Sequence, residues 1–498
     1  MKKPVQLITV ITQSPTASLL TRPVMLLLLS FATGLASMRP CAATPGEWEY
    51  TGSLKTARFH HTATLLPDGR VLVAGGRAGR GGEALASAEL YDPATGTWSD
   101  AASLKTARDS HTATLLPNGK VLVAGGRAGG VDFASAELYD PLTDAWSPTG
   151  SLNTPRVFHT ATLLPNGMVL VVGGIEGATY LASAELYNPA TGKWSNTGSL
   201  RTGRDFQTAN LLTNGKVLVA GGDGSGDVAL ATAELYDPDK GTWSPTGSLN
   251  TARDDDTGTL LPDGNVLVAG GNPTDLTSAE LYDPSTGTWS LTGNLNNGRA
   301  DDVETLLPNG LVLVAGGTAL DPDTCELYDA VNGTWSLTGS LNAPRKDHTA
   351  TLLPSGMVLV TGGGSTHGIP IASAELYDPG TVAATKVDGH GTIDNQGNQV
   401  TFHLHATQSD ETNRADFFSF CDPAASVCLT NGEIRSLSIN GNTAACSGTA
   451  RLEDRTKVSF AVNVTDNGSP GTSDTISITL NDGYSVGGTL TSGDIQIH

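Results

Sequence analysis

The sequence predicts an all-β protein: a seven-bladed β-propeller closed by an N-terminal strand, followed by a small β-sandwich domain. Three observations carry this. A glycine pair recurs at 75–76, 125–126, 173–174, 221–222, 270–271, 316–317 and 362–363, and a period of 46–50 residues is that of propeller blades. Gly makes up 60 of 498 residues and only 16% of the chain is charged, which favours turn-rich strands because Gly weakens helix interiors. The repeat stops after Pro379 while apolar and polar residues go on alternating, marking a second β domain over residues 384–498.

Residues 1–43 carry Lys2, Lys3 and Arg22, then the apolar run "VMLLLLSFATGLA" at 24–36 and a small-residue stretch ending at Ala43. This pattern predicts a secretory signal peptide whose apolar core is too short to span a bilayer, and hence a secreted chain. Cys41 follows Met-Arg-Pro rather than the small and aliphatic residues of a lipid-anchor site. No later run reaches the roughly 18–20 apolar residues of a membrane span. A net charge of −21 argues against nucleic acid as a partner, since phosphates would be repelled. Cys421, Cys428 and Cys446 lie close together, and in an oxidising compartment one disulfide among the three is expected, without the sequence saying which.

Residues 44–380 form the propeller. In the first unit, "TATLLPDGRVLVAGG" joins two apolar runs through a Pro-Asp-Gly turn, as a hairpin does, and "SAELYDPATGTWS" adds a third strand, a turn and a fourth. Strands apolar on both faces need cover on both sides, which stacking small sheets around an axis provides. The glycine pair lets the backbone take φ > 0 and a neighbouring blade approach closely. Tyr91 and Trp98 exemplify two aromatic anchors per blade. Trp recurs at 98, 146, 194, 243, 289 and 335, but the last unit has none; Trp48 and Leu54 stand in the missing register. The strand at Trp48 is therefore expected to complete blade seven from outside, covering an open edge.

Four apolar residues, Gly-Gly, a Tyr, six residues and a Trp resemble the kelch repeat, over residues 47–379. The resemblance implies a kelch propeller, a scaffold shared with galactose-oxidase-like copper radical enzymes. In those, tyrosines and histidines bind copper, one Tyr is cross-linked to a Cys, and one His comes from a C-terminal domain. His403 and His405 share a strand face and could be offered for that role. However, the one propeller Cys is Cys325 and nearly every propeller Tyr is a blade anchor, so copper chemistry is not expected and no catalytic constellation stands out.

With strands lettered a to d outward from the axis, the b–c loops and d–a connections share one face. From the second glycine to the blade Tyr the distance runs from 11 to 15 residues, and length variation collects where ligands are met. Arg58, Arg108, Arg156, Arg204, Arg253, Arg299 and Arg345 occupy one register; Glu89, Glu137, Glu185, Glu234, Glu280, Glu326 and Glu375 occupy another. One acid per arginine points to structural pairs rather than to an anion-binding ring. His61, His111, His159 and His348 give way in register to Gln207, Asp256 and Asp302. Asp254, Asp255, Asp256, Asp301 and Asp302 concentrate acid on blades five and six, and Tyr180 lies in a b–c loop. These six are the candidate ligand-binding residues; the acids suit Ca²⁺ or sugar hydroxyls, a solvated rim being the alternative. The expectation is a monomeric, secreted, non-enzymatic scaffold presenting this face to an extracellular glycan or protein. The alternative is a copper radical oxidase or sugar-processing enzyme.

In the last domain "QVTFHLHA", "EIRSLSI", "KVSFAVNV" and "DTISITL" alternate with period two, and Asn440-Gly441 signals a hairpin. The ending, from "VTDNGSPGTSD" onward, resembles C-terminal modules of secreted bacterial proteins of the post-COAP type, which implies no active site. The polar stretch within it is a lesser candidate for Ca²⁺.

Overall fold

The computed structural model describes residues 46–380, except 80–82, 319–320 and 366, and residues 386–497, except 396–397, 408–416, 424, 426, 441–442, 453–456, 467–473 and 482–483. The signal peptide expected over residues 1–43 and most of the polar stretch at 465–474 lie outside the described residues. No helix occurs among the described residues.

Seven four-stranded antiparallel sheets form the blades. In blade 1, strand a is Thr62–Leu65, b Val71–Ala74, c Ala88–Asp92 and d Thr97–Ala101. The other a strands are Thr112–Leu115, Thr160–Leu163, Thr208–Leu211, Thr257–Leu260, Val303–Leu306 and Thr349–Leu352. Blade 7 takes its d strand from the other end of the sequence: Trp48–Tyr50 pairs with Ala374–Tyr377, setting Trp48 opposite Tyr377. This is the expected closure, and Trp48 is buried by it.

Every b strand is buried throughout, because each apolar cluster straddles two blades. Val121, Val123 and Tyr139 of blade 2, for instance, pack on Leu72, Ala74 and Leu90 of blade 1. Tyr and Trp of one blade tilt together at 4.9–5.1 Å between ring centroids. Six tyrosines then bond a Thr hydroxyl of the preceding blade. Tyr139 instead bonds Asp144, because Ala101 fills the threonine's place in blade 1.

The glycine pair has two separate reasons. A Cβ on the first glycine would lie 2.5–2.8 Å from the carbonyl oxygen of the next blade's arginine; on the second it would meet its own blade's approach to strand a. Both have positive φ, where a side chain is strained in any case.

The C-terminal domain differs in detail from the sandwich expected. Eight antiparallel strands, from Lys386–Asn395 to Ser485–Ile497, pair in sequence order, and the last pairs with the first, closing a barrel. Strands of up to 14 residues with register shifts near Thr392, Phe418 and Thr430 let one sheet curl onto itself. Asn440 opposes Thr443 across the expected hairpin. Phe402, Phe418, Phe420, Phe460 and Ile478 belong to a buried cluster of this domain. Cys421 and Cys428 form the disulfide, and Cys446 is buried outside that bridge.

Candidate functional site

Each approach to strand a begins with the register arginine, fully buried within its own blade. Arg58 donates to Gly75 O, Ser87 O, Ser87 Oγ and Glu89 Oε1 at 2.8–3.0 Å. Glu89 in turn accepts from the backbone N–H groups of Lys55 and Thr56 in the d–a connection. The other six pairs repeat this, with N···O separations of 2.5–3.7 Å. The arginines are therefore the structural pins expected, holding the d–a connection to strands b and c.

Two residues after each arginine stands one with φ of 48–55°: His60, Ser110, Phe158, Phe206, Asp255, Asp301 and Asp347. The N–H of each donates to the carbonyl oxygen of its counterpart in the preceding blade at 3.1–3.4 Å, and His60 closes the circuit on Asp347. Seven backbone hydrogen bonds thus encircle the axis on the b–c loop face. All seven side chains are partly exposed. On one side of the ring His60, Ser110, Phe158 and Asp347 border a hollow of about 230 Å³. A larger cavity, about 850 Å³, lies at the opposite end between blades 1 and 3. Turn residues such as Pro67, Leu116 and Pro117, which have counterparts in other blades, line it, so it carries less distinguishing chemistry than the ring.

The next residue along lies beneath the ring and reaches the preceding blade. His111 Nε2 bonds Thr62 Oγ1, His159 bonds Thr112 and His61 bonds Thr349, at 3.0–3.1 Å. Burial, and then the charge of Arg108 or Arg156, pushes His111 and His159 down to about 3, so they stay neutral. His348 finds no such partner, because Val303 replaces the threonine on blade 6.

The six candidate residues do not form one site. Asp255 and Asp301 belong to the ring. Asp301 accepts from Lys346 Nζ at 2.7 Å, whereas Asp255 is held above the ordinary carboxylate range by burial and by the charges of Asp301 and Asp254. Asp254 sits farther out, and its charge, after burial, pushes the Asp223 carboxyl of blade 4 up to about 6. Asp256 and Asp302 occupy the histidine register beneath, buried, with both oxygens of Asp256 and Oδ1 of Asp302 unpartnered. Burial comes first in pushing them up to about 8 and about 7. Tyr180 donates to Asp227 in the next blade's b–c loop.

Several neighbours were not singled out in the sequence. Glu304, in the place of Ala63 or Ala350, accepts from Thr259 Oγ1 at 2.8 Å and is pushed up to about 8 by burial and then by Asp302. Phe158 and Phe206 stack with centroids 4.3 Å apart, with Arg127 over Phe158. Asp205 is buried and pushed up to about 7 by burial and then by Asp223. The available signal was variation: this ring position takes four residue types in a frame of otherwise steady Arg and Thr.

Fold and site together define a seven-bladed β-propeller whose variable loop face carries an axial ring of dissimilar side chains. The Kelch motif matches residues 58–105, 110–153, 156–201 and 208–250, so the chain carries Kelch motifs on a seven-bladed propeller. Among solved structures it is similar to one described as a novel fungal alcohol oxidase with catalytic diversity among the AA5 family, in complex with copper. That match has 18% identity and a TM-score of 0.58, covering 91% of this chain and 92% of that one. It is also similar to the structure of YjhT, at 16% identity and a TM-score of 0.45, covering 57% of this chain and 98% of that one. The first likeness concerns the fold alone. No curated protein matches the chain. No helix among the described residues is long and apolar enough to cross a membrane.

Proposed function

We propose that the chain is an exported, non-enzymatic binding protein that presents the b–c and d–a loop face of its propeller to a ligand, and that a glycan is the favoured class over a protein. The observation that carries this reading is the ring itself. It sets a stacked phenylalanine pair beside carboxyl groups that can accept or donate hydrogen bonds, an apolar platform with polar neighbours. Sugar rings have that same division, apolar C–H faces and polar hydroxyl edges.

The copper-oxidase alternative would need Tyr, His and Cys donors brought together. The axial positions hold no Tyr, and three of the histidines beneath direct Nε2 at threonine hydroxyls. Cys325 is buried in strand c, and His403 is exposed and stacked with His390. Among the described residues no three His, Cys, Asp or Glu side chains are set to hold a metal ion. A Tyr, His and Cys copper set does not fit these residues.

The test is an oligosaccharide array probed with the purified chain, with the double variant Phe158→Ala, Phe206→Ala alongside. Binding at micromolar affinity that weakens at least tenfold in the variant is expected. Oxidation of an alcohol with peroxide release by the copper-loaded protein would overturn the non-enzymatic reading.

A further inference from the structure

Acids on this face fall into two kinds. Asp109 pairs with Arg77 at 3.0 Å, Asp132 with Arg127 at 3.2 Å and Asp301 with Lys346 at 2.7 Å. On blades 4 and 5 the pattern breaks. Asp205, Asp223, Asp227 and Asp254 form no ion pair with Lys or Arg among the described residues. Their positions are fixed by backbone: Asp205 and Asp223 face each other in an antiparallel bridge, exchanging hydrogen bonds of 3.1 and 2.8 Å. The Asp223 carboxyl is held above the ordinary carboxylate range by burial and then by the charge of Asp254, so these two acids lack a neutralising partner. Asp205 is 3% exposed and its Oδ1 has no hydrogen-bond partner. A buried carboxylate oxygen left in that state is costly unless something supplies a donor.

We propose that this acidic sector takes up a primary ammonium group, and that the ligand is a glycan bearing free amino groups whose sugar ring lies against Phe206. The proposal rests on the glycan reading above and narrows it. An ammonium has three N–H donors that diverge, matching separate carboxylates at hydrogen-bond distance. A divalent cation would instead need oxygens converged around one point, and the described residues show no such group. Phe206 follows Asp205 in sequence and ends the aromatic stack begun by Arg127 and Phe158, so the cluster and the platform are adjacent. The exposed Asp227 and the partly exposed Asp223 leave the sector open to a ligand.

Isothermal titration of the full chain compares a glucosamine hexamer, an N-acetylglucosamine hexamer, hexalysine and CaCl₂. The glucosamine hexamer should bind at least tenfold more tightly than the acetylated one. The preference should fall below threefold in Asp205→Asn and, independently of any folding defect there, in the surface variant Asp227→Asn. Asp239→Asn, a charge-matched change on the opposite turn face, should leave it intact. Equal binding of the two hexamers would overturn the ammonium inference and leave the glycan reading standing. Binding of hexalysine without either hexamer would overturn both, as would no binding at all. Stoichiometric Ca²⁺ binding lost in Asp205→Asn would replace the ammonium with a metal.

Discussion

Single side chains set both the regularity and the flaws of this wheel. Where Thr follows the register arginine by four residues, the next blade's His gains a partner; Val303 breaks that rule and leaves both ring nitrogens of His348 unpartnered. Val303→Thr should therefore stabilise the propeller by about 1 kcal/mol, read from chemical denaturation. Glu304 is a flaw of another kind. Its neighbours are Asp302, Asp256, Thr257 and Thr259, with Arg253 and Arg299 acting on the two aspartates. Its folded-state pKa is raised to about 8 from an unfolded value of about 4.3, so folding favours the protonated form. That stability is fully present below the unfolded value and is lost as pH rises through about 8. Glu304→Ala, which restores the residue found in blades such as the first, should raise the melting temperature at pH 8 more than at pH 5. It should flatten the slope between them without abolishing it, because Asp256 and Asp302 titrate in the same sense. A larger gain at pH 5 would refute the assignment.

At the scale of elements, closure depends on three residues, Trp48–Tyr50. Trp48→Ala should cost about 3–5 kcal/mol and expose the outer edge of Ala374–Tyr377 to pairing with other chains, visible as a lower melting temperature together with oligomers in light scattering. This clasp was legible in the sequence because a missing Trp at one end and a spare one at the other can be counted. Blade number, hairpins and the arginine pairs were legible for the same reason: repetition turns one pattern into seven trials. The ring was not. Its residues share no chemistry, only a backbone conformation at φ near 50°, and periodicity of side chains carries no record of that. Nor was the splitting of the five acids legible as they stood together in the sequence. Consecutive residues at a strand start point to different sides, which sends Asp255 to the axis, Asp256 into the blade interface and Asp254 outward. In the C-terminal domain the alternating strands were readable, but whether the first and last strands of a sheet meet depends on curl and register shifts that a two-residue period does not encode.

Over the whole molecule, all seven tryptophans lie in the propeller, so indole fluorescence reports that domain alone. The Cys421–Cys428 bridge belongs to the barrel, and its reduction should cost that domain about 2–3 kcal/mol by loop entropy. The fluorescence midpoint should not move, because no buried cluster among the described residues draws on both domains. In the propeller, Arg156→Met should lower stability by about 3–5 kcal/mol by leaving Glu185 buried without its partner, and the loss should change little with salt, since such a pair is poorly screened. The circuit of seven backbone hydrogen bonds has one more consequence. Because main-chain atoms alone hold it together, it works as a set of seven interchangeable sockets, each accepting a new side chain without disturbing its neighbours' bonding. Moving the tetrapeptides that begin at Arg204 and Arg253 to other blades should carry their specificity around the axis like numbers on a dial. New preferences can therefore arise by point substitution, with the wheel itself left unaltered.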